Sequence, residues 1–180
     1  MIGVFALLLA AAQEPMVVYP KAGVQNPTAA PATPSSNLPK FEFKSVHAGD
    51  PMPRRGLLGC PKLEEHDQHI CPEADFSVAG VKAFSAATFY DQSGLIGLLF
   101  SVRRGDGPTL AQALEAKYGK PCDVKTTEVQ NSFGAKFERE TRRWCFADGI
   151  GTFESIGRKV DAASFGFTVI PPDKKPVVDF

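Results

Sequence analysis

The chain carries no net charge: Lys and Arg total 20, and so do Asp and Glu. That balance argues against a general nucleic-acid binder, because neutralising phosphates takes a basic surface. No long apolar run lies inside the chain. The one at the N-terminus is too short to cross a bilayer, so no membrane span is expected. There is no G-x-S-x-G and no phosphate-loop pattern, so two common signatures of serine nucleophiles and nucleotide binding are missing. Histidine stops at three residues and cysteine at four. Any metal site therefore has few soft ligands to draw on. No sustained internal repeat is present. Apolar content is that of an ordinary globular protein, and Phe is unusually frequent, with 14 copies.

Residues 1–12 read MIGVFALLLAAA. An apolar run ending in Ala10-Ala11-Ala12 fits the core and cleavage site of a secretory signal peptide. Cleavage is expected before Gln13, and the protein is expected in the periplasm of a bacterium or secreted from it. No Lys or Arg precedes the run; either a basic stretch lies upstream or the α-amino group alone serves. No Cys follows the cleavage point, so a lipoprotein is not expected. Residues 13–39 are rich in Pro, Ala, Ser and Thr. Pro15, Pro20, Pro27, Pro31, Pro34 and Pro39 break helices and ladders, so this stretch is expected to be a disordered tether. One domain is expected over 40–171, and 172–180 form a charged C-terminal tail.

The domain is organised around 81–122. Residues 81–90 have the β-branched and aromatic content of a strand. Asp91-Gln92-Ser93-Gly94 is a turn, and 95–102 is a second strand. Ile96, Leu98, Phe100 and Val102 share one side at period two. Asp106 and Gly107 can cap a helix, and Pro108 suits its first turn. Leu110, Leu114 and Tyr118 form one stripe. Gly119 and Pro121 end the helix, so it should run over 108–118 and cover the apolar side of 95–102.

The remaining signals are strands. Phe41 and Phe43 alternate with polar residues and open the domain. Residues 74–78 add a short strand before the Ala79-Gly80 turn. Residues 124–129 alternate weakly, and Asn131 to Gly134 connect onward. Residues 136–146 carry charge on both sides, which a bulge or a two-sided edge strand would explain. Asp148-Gly149 is a hairpin signal. Residues 152–156 and 164–170 are the last two strands.

Four cysteines in an exported chain point to disulfides, and three pairings are possible. Cys60–Cys71 with Cys122–Cys145 is favoured, because it joins sequence neighbours and suits adjacent strands. The sharpest chemical candidate is the loop 60–71, CPKLEEHDQHIC, in which Cys60, His66, His69 and Cys71 could hold zinc or copper. Against that, one residue separates His69 from Cys71, and exported cysteines oxidise; a disulfide with two exposed histidines is the simpler reading. Glu64, Glu65, Asp67 and Glu73 read as a solvated acidic loop rather than a catalytic pair. His47 reads as a turn residue. Arg103 and Arg104 read as a solvated loop, although they border a helix N-terminus that could grip an anion. Glu138, Arg139, Glu140, Arg142 and Arg143 read as cross-strand pairs. Trp144 and Arg142 are the candidates for a protein-binding anchor, with a core role the simpler reading for Trp144.

The layout after residue 40 resembles small exported bacterial proteins of unknown role. The matching pieces are Phe43-Lys44-Ser45-Val46-His47-Ala48-Gly49-Asp50, Leu114-Glu115-Ala116-Lys117-Tyr118-Gly119-Lys120-Pro121 and Val129-Gln130-Asn131-Ser132-Phe133-Gly134-Ala135-Lys136-Phe137. The arrangement is similar to the helix-on-antiparallel-sheet modules of outer-membrane assembly lipoproteins and β-lactamase inhibitory proteins. The resemblance implies a fold and transfers no catalytic residue. The expected fold is therefore α+β: an antiparallel sheet with one main helix packed on one face, stabilised by disulfides. The expected function is non-enzymatic and cofactor-free, that of a protein-binding or cell-envelope-associated module. The alternative is a periplasmic metal-binding module at His66 and His69.

Overall fold

The computed structural model describes residues 19–20, 38–53, 59–63 and 67–170. The signal peptide expected over 1–12, nearly all of the tether and the tail over 172–180 lie outside the described residues. Among the described residues thirteen strands and one helix follow in order: β1 (Tyr19–Pro20), β2 (Glu42–Phe43), β3 (Val46–His47), β4 (Lys62–Leu63), β5 (Gln68–Pro72), β6 (Ser77–Val78), β7 (Val81–Lys82), β8 (Ser85–Asp91), β9 (Gly94–Arg103), α1 (Gly107–Tyr118), β10 (Asp123–Gln130), β11 (Lys136–Cys145), β12 (Gly149–Glu154) and β13 (Ala162–Val169). A single 3-10 turn, Arg104–Asp106, leads into α1. The molecule is thus mostly antiparallel sheet with one short helix, an α+β arrangement.

Nine strands form one sheet in the order β1-β10-β11-β12-β13-β9-β8-β5-β4, while β2-β3 and β6-β7 are separate ribbons. Every pairing is antiparallel. The last described strand, β13, lies near the middle, between β12 and β9. Alternate residues of these strands turn to one side and meet there: Leu98, Phe100 and Val102 of β9, Ala163, Phe165 and Phe167 of β13, Phe153 of β12 and Trp144 of β11 are all buried in one cluster. Leu110, Ala111 and Leu114 of α1 belong to the same cluster, as do Phe41 and Phe43. The Phe41 ring stacks on Phe167 at a centroid distance of 3.6 Å, and the Phe41 N–H donates to Asp148 Oδ1 at 2.9 Å. Burial of this many aromatic rings is the main stabilising term of the domain.

Four expectations need correction. Residues 81–90 are two strands rather than one. Val81–Lys82 folds back on β6 at Ala79 and Gly80, both at positive φ, and the long pairing with β9 begins only at Ser85. Ile96 does not join the buried side. Phe89 faces Gly97 and Tyr90 faces Leu95, so Ile96 is left without a partner. This bulge switches the phase of the strand, and Leu95 is buried in place of Ile96. The loop 60–71 contributes β4 and β5, and β5 extends the sheet by pairing with β8. Its polar sequence hid a strand whose partner lies elsewhere in the chain. Finally, the turn between β11 and β12 is centred one residue before Asp148-Gly149. Gly149 already belongs to β12, and a Cβ there would sit 2.3 Å from the Thr168 carbonyl oxygen. Close packing, rather than turn geometry, demands glycine at that position.

The helix follows its expected bounds closely. Its buried residues are Gly107, Leu110, Ala111 and Leu114. Asp106 stands at the N-cap without a side-chain cap bond, and Gly119 ends the helix at φ 79. In β11 the two-sided charge pattern is real and needs no bulge. Its pairing with β10 is continuous from Lys136 to Arg143, with Trp144 buried and Phe137 and Cys145 half-buried on the other side.

Candidate functional site

The cysteines join as sequence neighbourhood favours. Cys60 bonds Cys71 with Cα atoms 4.2 Å apart, and Cys122 bonds Cys145 with Cα atoms 6.0 Å apart. The first staples the β4–β5 hairpin and is buried with Tyr90 and Leu95. The second ties the start of β10 to the end of β11. Both sulfurs of the 60–71 loop are therefore bonded to each other rather than available as thiolate ligands. The His69 Nδ1 lies 3.1 Å from the Cys60 carbonyl oxygen, a contact that ties the ring to the backbone at the disulfide. His66, Glu64 and Glu65 lie outside the described residues. Asp67 is exposed, and hydrogen bonds from Lys62 and then Gln92 hold its carboxyl below the usual range.

Trp144 and Arg142, considered as binding anchors, are engaged within the molecule. Trp144 is 2 % exposed, and its indole N–H donates to the Gly119 carbonyl at 2.8 Å. Arg142 Nη1 lies 3.1 Å from Glu115 Oε2 on α1, and its Nε donates to Glu140. Both residues tie the sheet to the C-terminal half of the helix. The simpler core reading of Trp144 is what the geometry shows.

The side of the sheet away from the aromatic cluster is different. The register places Ala87 and Phe89 of β8, Gly97, Leu99 and Ser101 of β9, Ser164, Gly166 and Thr168 of β13, Ile150, Thr152 and Glu154 of β12, and Arg139, Thr141 and Arg143 of β11 there. Apart from Gly97, none of these is buried. This open side has two zones. Over β10, β11 and β12 it is ionic, with Arg139 and Glu154 3.5 Å apart and Arg143 and Asp123 3.7 Å apart. Over β5, β8, β9 and β13 it is apolar, and there it is hollowed into a groove of about 330 Å³ whose lining includes Phe89, Ile96, Leu99, Phe167, Gln68 and Thr168.

Two glycines make the groove. A Cβ on Gly97 would stand 3.1 Å from the Phe167 carbonyl oxygen and 3.7 Å from the Phe89 ring. One on Gly166 would stand 3.5 Å from Leu99 Cδ1. The floor is thus bare backbone, flanked by Phe89 and by Leu99, which is 41 % exposed. The bulge at Ile96 supplies one more wall. None of the lining side chains titrates, so the groove offers shape, apolar surface and the amide and hydroxyl of Gln68 and Thr168. The lining holds no acid or base that would activate the Thr168 hydroxyl. Sequence reading passed over these residues because a glycine at an odd strand position looks like a flaw in the pattern. Only the pairing of β13 with β9 brings Gly97 and Gly166 into one hollow.

No protein-family model, no curated protein and no solved structure matches the chain.

Proposed function

We propose that this is an exported, non-enzymatic, cell-envelope-associated binding module. In this reading α1 covers one face of the sheet as its main helix, and the opposite face receives a protein partner. The observation that carries it is the apolar groove floored by Gly97 and Gly166, which is uncovered among the described residues. A concave apolar site without titrating groups suits an inserted side chain rather than a reaction. Helix coverage is supported by the burial of Leu110, Ala111 and Leu114 among sheet residues and by the Arg142–Glu115 and Trp144–Gly119 contacts. Export is supported by two disulfides with no free cysteine among the described residues. In the same residues no helix is long and apolar enough to cross a membrane. The likeness to helix-on-sheet modules of outer-membrane assembly lipoproteins and β-lactamase inhibitory proteins belongs to the same proposal.

The test is a photo-crosslinking amino acid at Leu99, installed in the chain expressed in intact host cells. One or a few discrete adducts are expected, and Gly97→Val or Gly166→Val should abolish them by filling the floor. Absence of any adduct from Leu99, with the protein exported and folded, would sink the proposal.

A further inference from the structure

The apolar groove and the ionic zone of the open side share one row of the sheet. The register sets Leu99 opposite Gly166, Gly166 opposite Thr152, Thr152 opposite Arg143 and Arg143 opposite Asp123. These positions all fall on the open side. Leu99 is 41 % exposed, and so is the side chain of Arg143. Between them stand a glycine and a half-buried threonine. The row is therefore a trough, high at Leu99 and at Arg143 and low between. Two strand spacings, about 10 Å, separate Gly166 from Arg143.

The charge at the far end of the trough is not balanced. The Asp123 carboxylate lies 3.7 Å from Arg143 Nη1 and 4.0 Å from Lys125 Nζ, so one anion serves two cations. Neither contact is short enough for a good hydrogen bond. The Arg143 guanidinium keeps its fork of donors for a planar oxyanion. Further along the same side Arg139 faces Glu154 at 3.5 Å, and Arg103, in phase with Leu99 and Ser101, is exposed. Among the described residues of this side, Arg103, Lys125, Arg139 and Arg143 meet only Asp123 and Glu154. The chain as a whole is neutral, so the surplus of cations belongs to this side rather than to the composition.

We infer that the segment received by the groove is acidic as well as apolar. One large apolar side chain drops onto Gly166 beside Leu99 and Phe89, and a carboxylate of the same segment takes the Arg143 fork. This rests on the binding role proposed above and specifies the chemistry of its partner. An extended segment advances about 3.3 Å per residue, which sets the carboxylate about two to four residues from the apolar anchor. The apolar contact supplies most of the affinity. The exposed ion pair supplies selectivity and a dependence on salt.

The experiment is selection of a random peptide library, displayed on phage, against the purified full chain. Selected peptides are synthesised, and their dissociation constants are measured by fluorescence anisotropy. Dependence on the groove is read with Gly166→Val and with Leu99→Ser, a milder change at an exposed position. Groove-dependent peptides are expected to carry Asp or Glu close to a large apolar residue. Arg143→Gln should weaken them by about fivefold or more, and so should raised salt. Exchanging the peptide's acid for its amide should remove both sensitivities. Groove-dependent peptides that are neutral or basic, or acidic ones indifferent to Arg143→Gln, would overturn the inference and leave the groove standing as a binding site. If no peptide depends on Gly166 or Leu99, the groove reading fails and the inference falls with it.

Discussion

Three residues show how the packing can be tested one side chain at a time. Phe100 is wholly buried and touches Phe43, Phe76 and Phe165. Phe100→Asp puts a carboxylate where no partner stands, and should cost about 3–5 kcal/mol or prevent folding. Chemical denaturation gives the number. Trp144→Phe removes the indole donor of Gly119 and part of the core volume. A loss of about 1–3 kcal/mol is expected in the same assay. Tyr118 bears on pH. Burial pushes its phenol well above the ordinary tyrosine range, with Glu42 adding to the effect, and its hydroxyl donates to the Glu42 carbonyl at 2.9 Å. The folded chain holds that proton more tightly than the unfolded chain does. Its contribution to stability is therefore intact below about pH 10, the unfolded value, and is lost as pH rises beyond it. Denaturation midpoints measured from pH 8 upward should fall at the alkaline end, and Tyr118→Phe should flatten that fall.

At the scale of elements, the two disulfides act on separate parts of the sheet. By the chain-entropy argument, loops closed over sequence separations of 11 and 23 are each worth about 3 kcal/mol, the longer slightly more. Replacing Cys60 and Cys71 by Ser should loosen β4 and β5. Replacing Cys122 and Cys145 should loosen β10 against β11. Hydrogen exchange would show each loss confined to its own end of the sheet, and a uniform loss would argue for one indivisible cooperative unit. Much of this layout was legible beforehand. The stripe Leu110, Leu114 and Tyr118 between Pro108 and Gly119 marks the helix because propensity, capping and pattern agree there. β9 and β13 are marked by alternation of large apolar residues, whereas β10 alternates weakly and β11 carries charge on both sides. What stayed hidden depends on contacts distant in sequence. β5 is a strand because β8 offers it an edge, and Ile96 leaves the core side because a bulge intervenes. The groove was invisible for the same reason, since Gly97 and Gly166 come together only through the pairing of β13 with β9.

For the molecule as a whole, the position of β13 has a further consequence. Among the described residues it is the last strand in sequence, yet it joins β12 to β9 and so links the β10–β12 half to the β9, β8, β5 and β4 half. A chain emerging from its N-terminus therefore exposes β9, ten residues carrying Leu98, Phe100 and Val102, before the strand that shields it has arrived. Until then that apolar border stands open to other chains. Such a topology folds late, because its central ladder waits for partners far apart along the chain. A chain stopped after Asp161 should remain protease-sensitive and aggregate, and limited proteolysis beside the full-length chain checks it. Delivery of β13 is then the clock for the domain: the apolar border of β9 finds its cover only when Ala162–Val169 arrives.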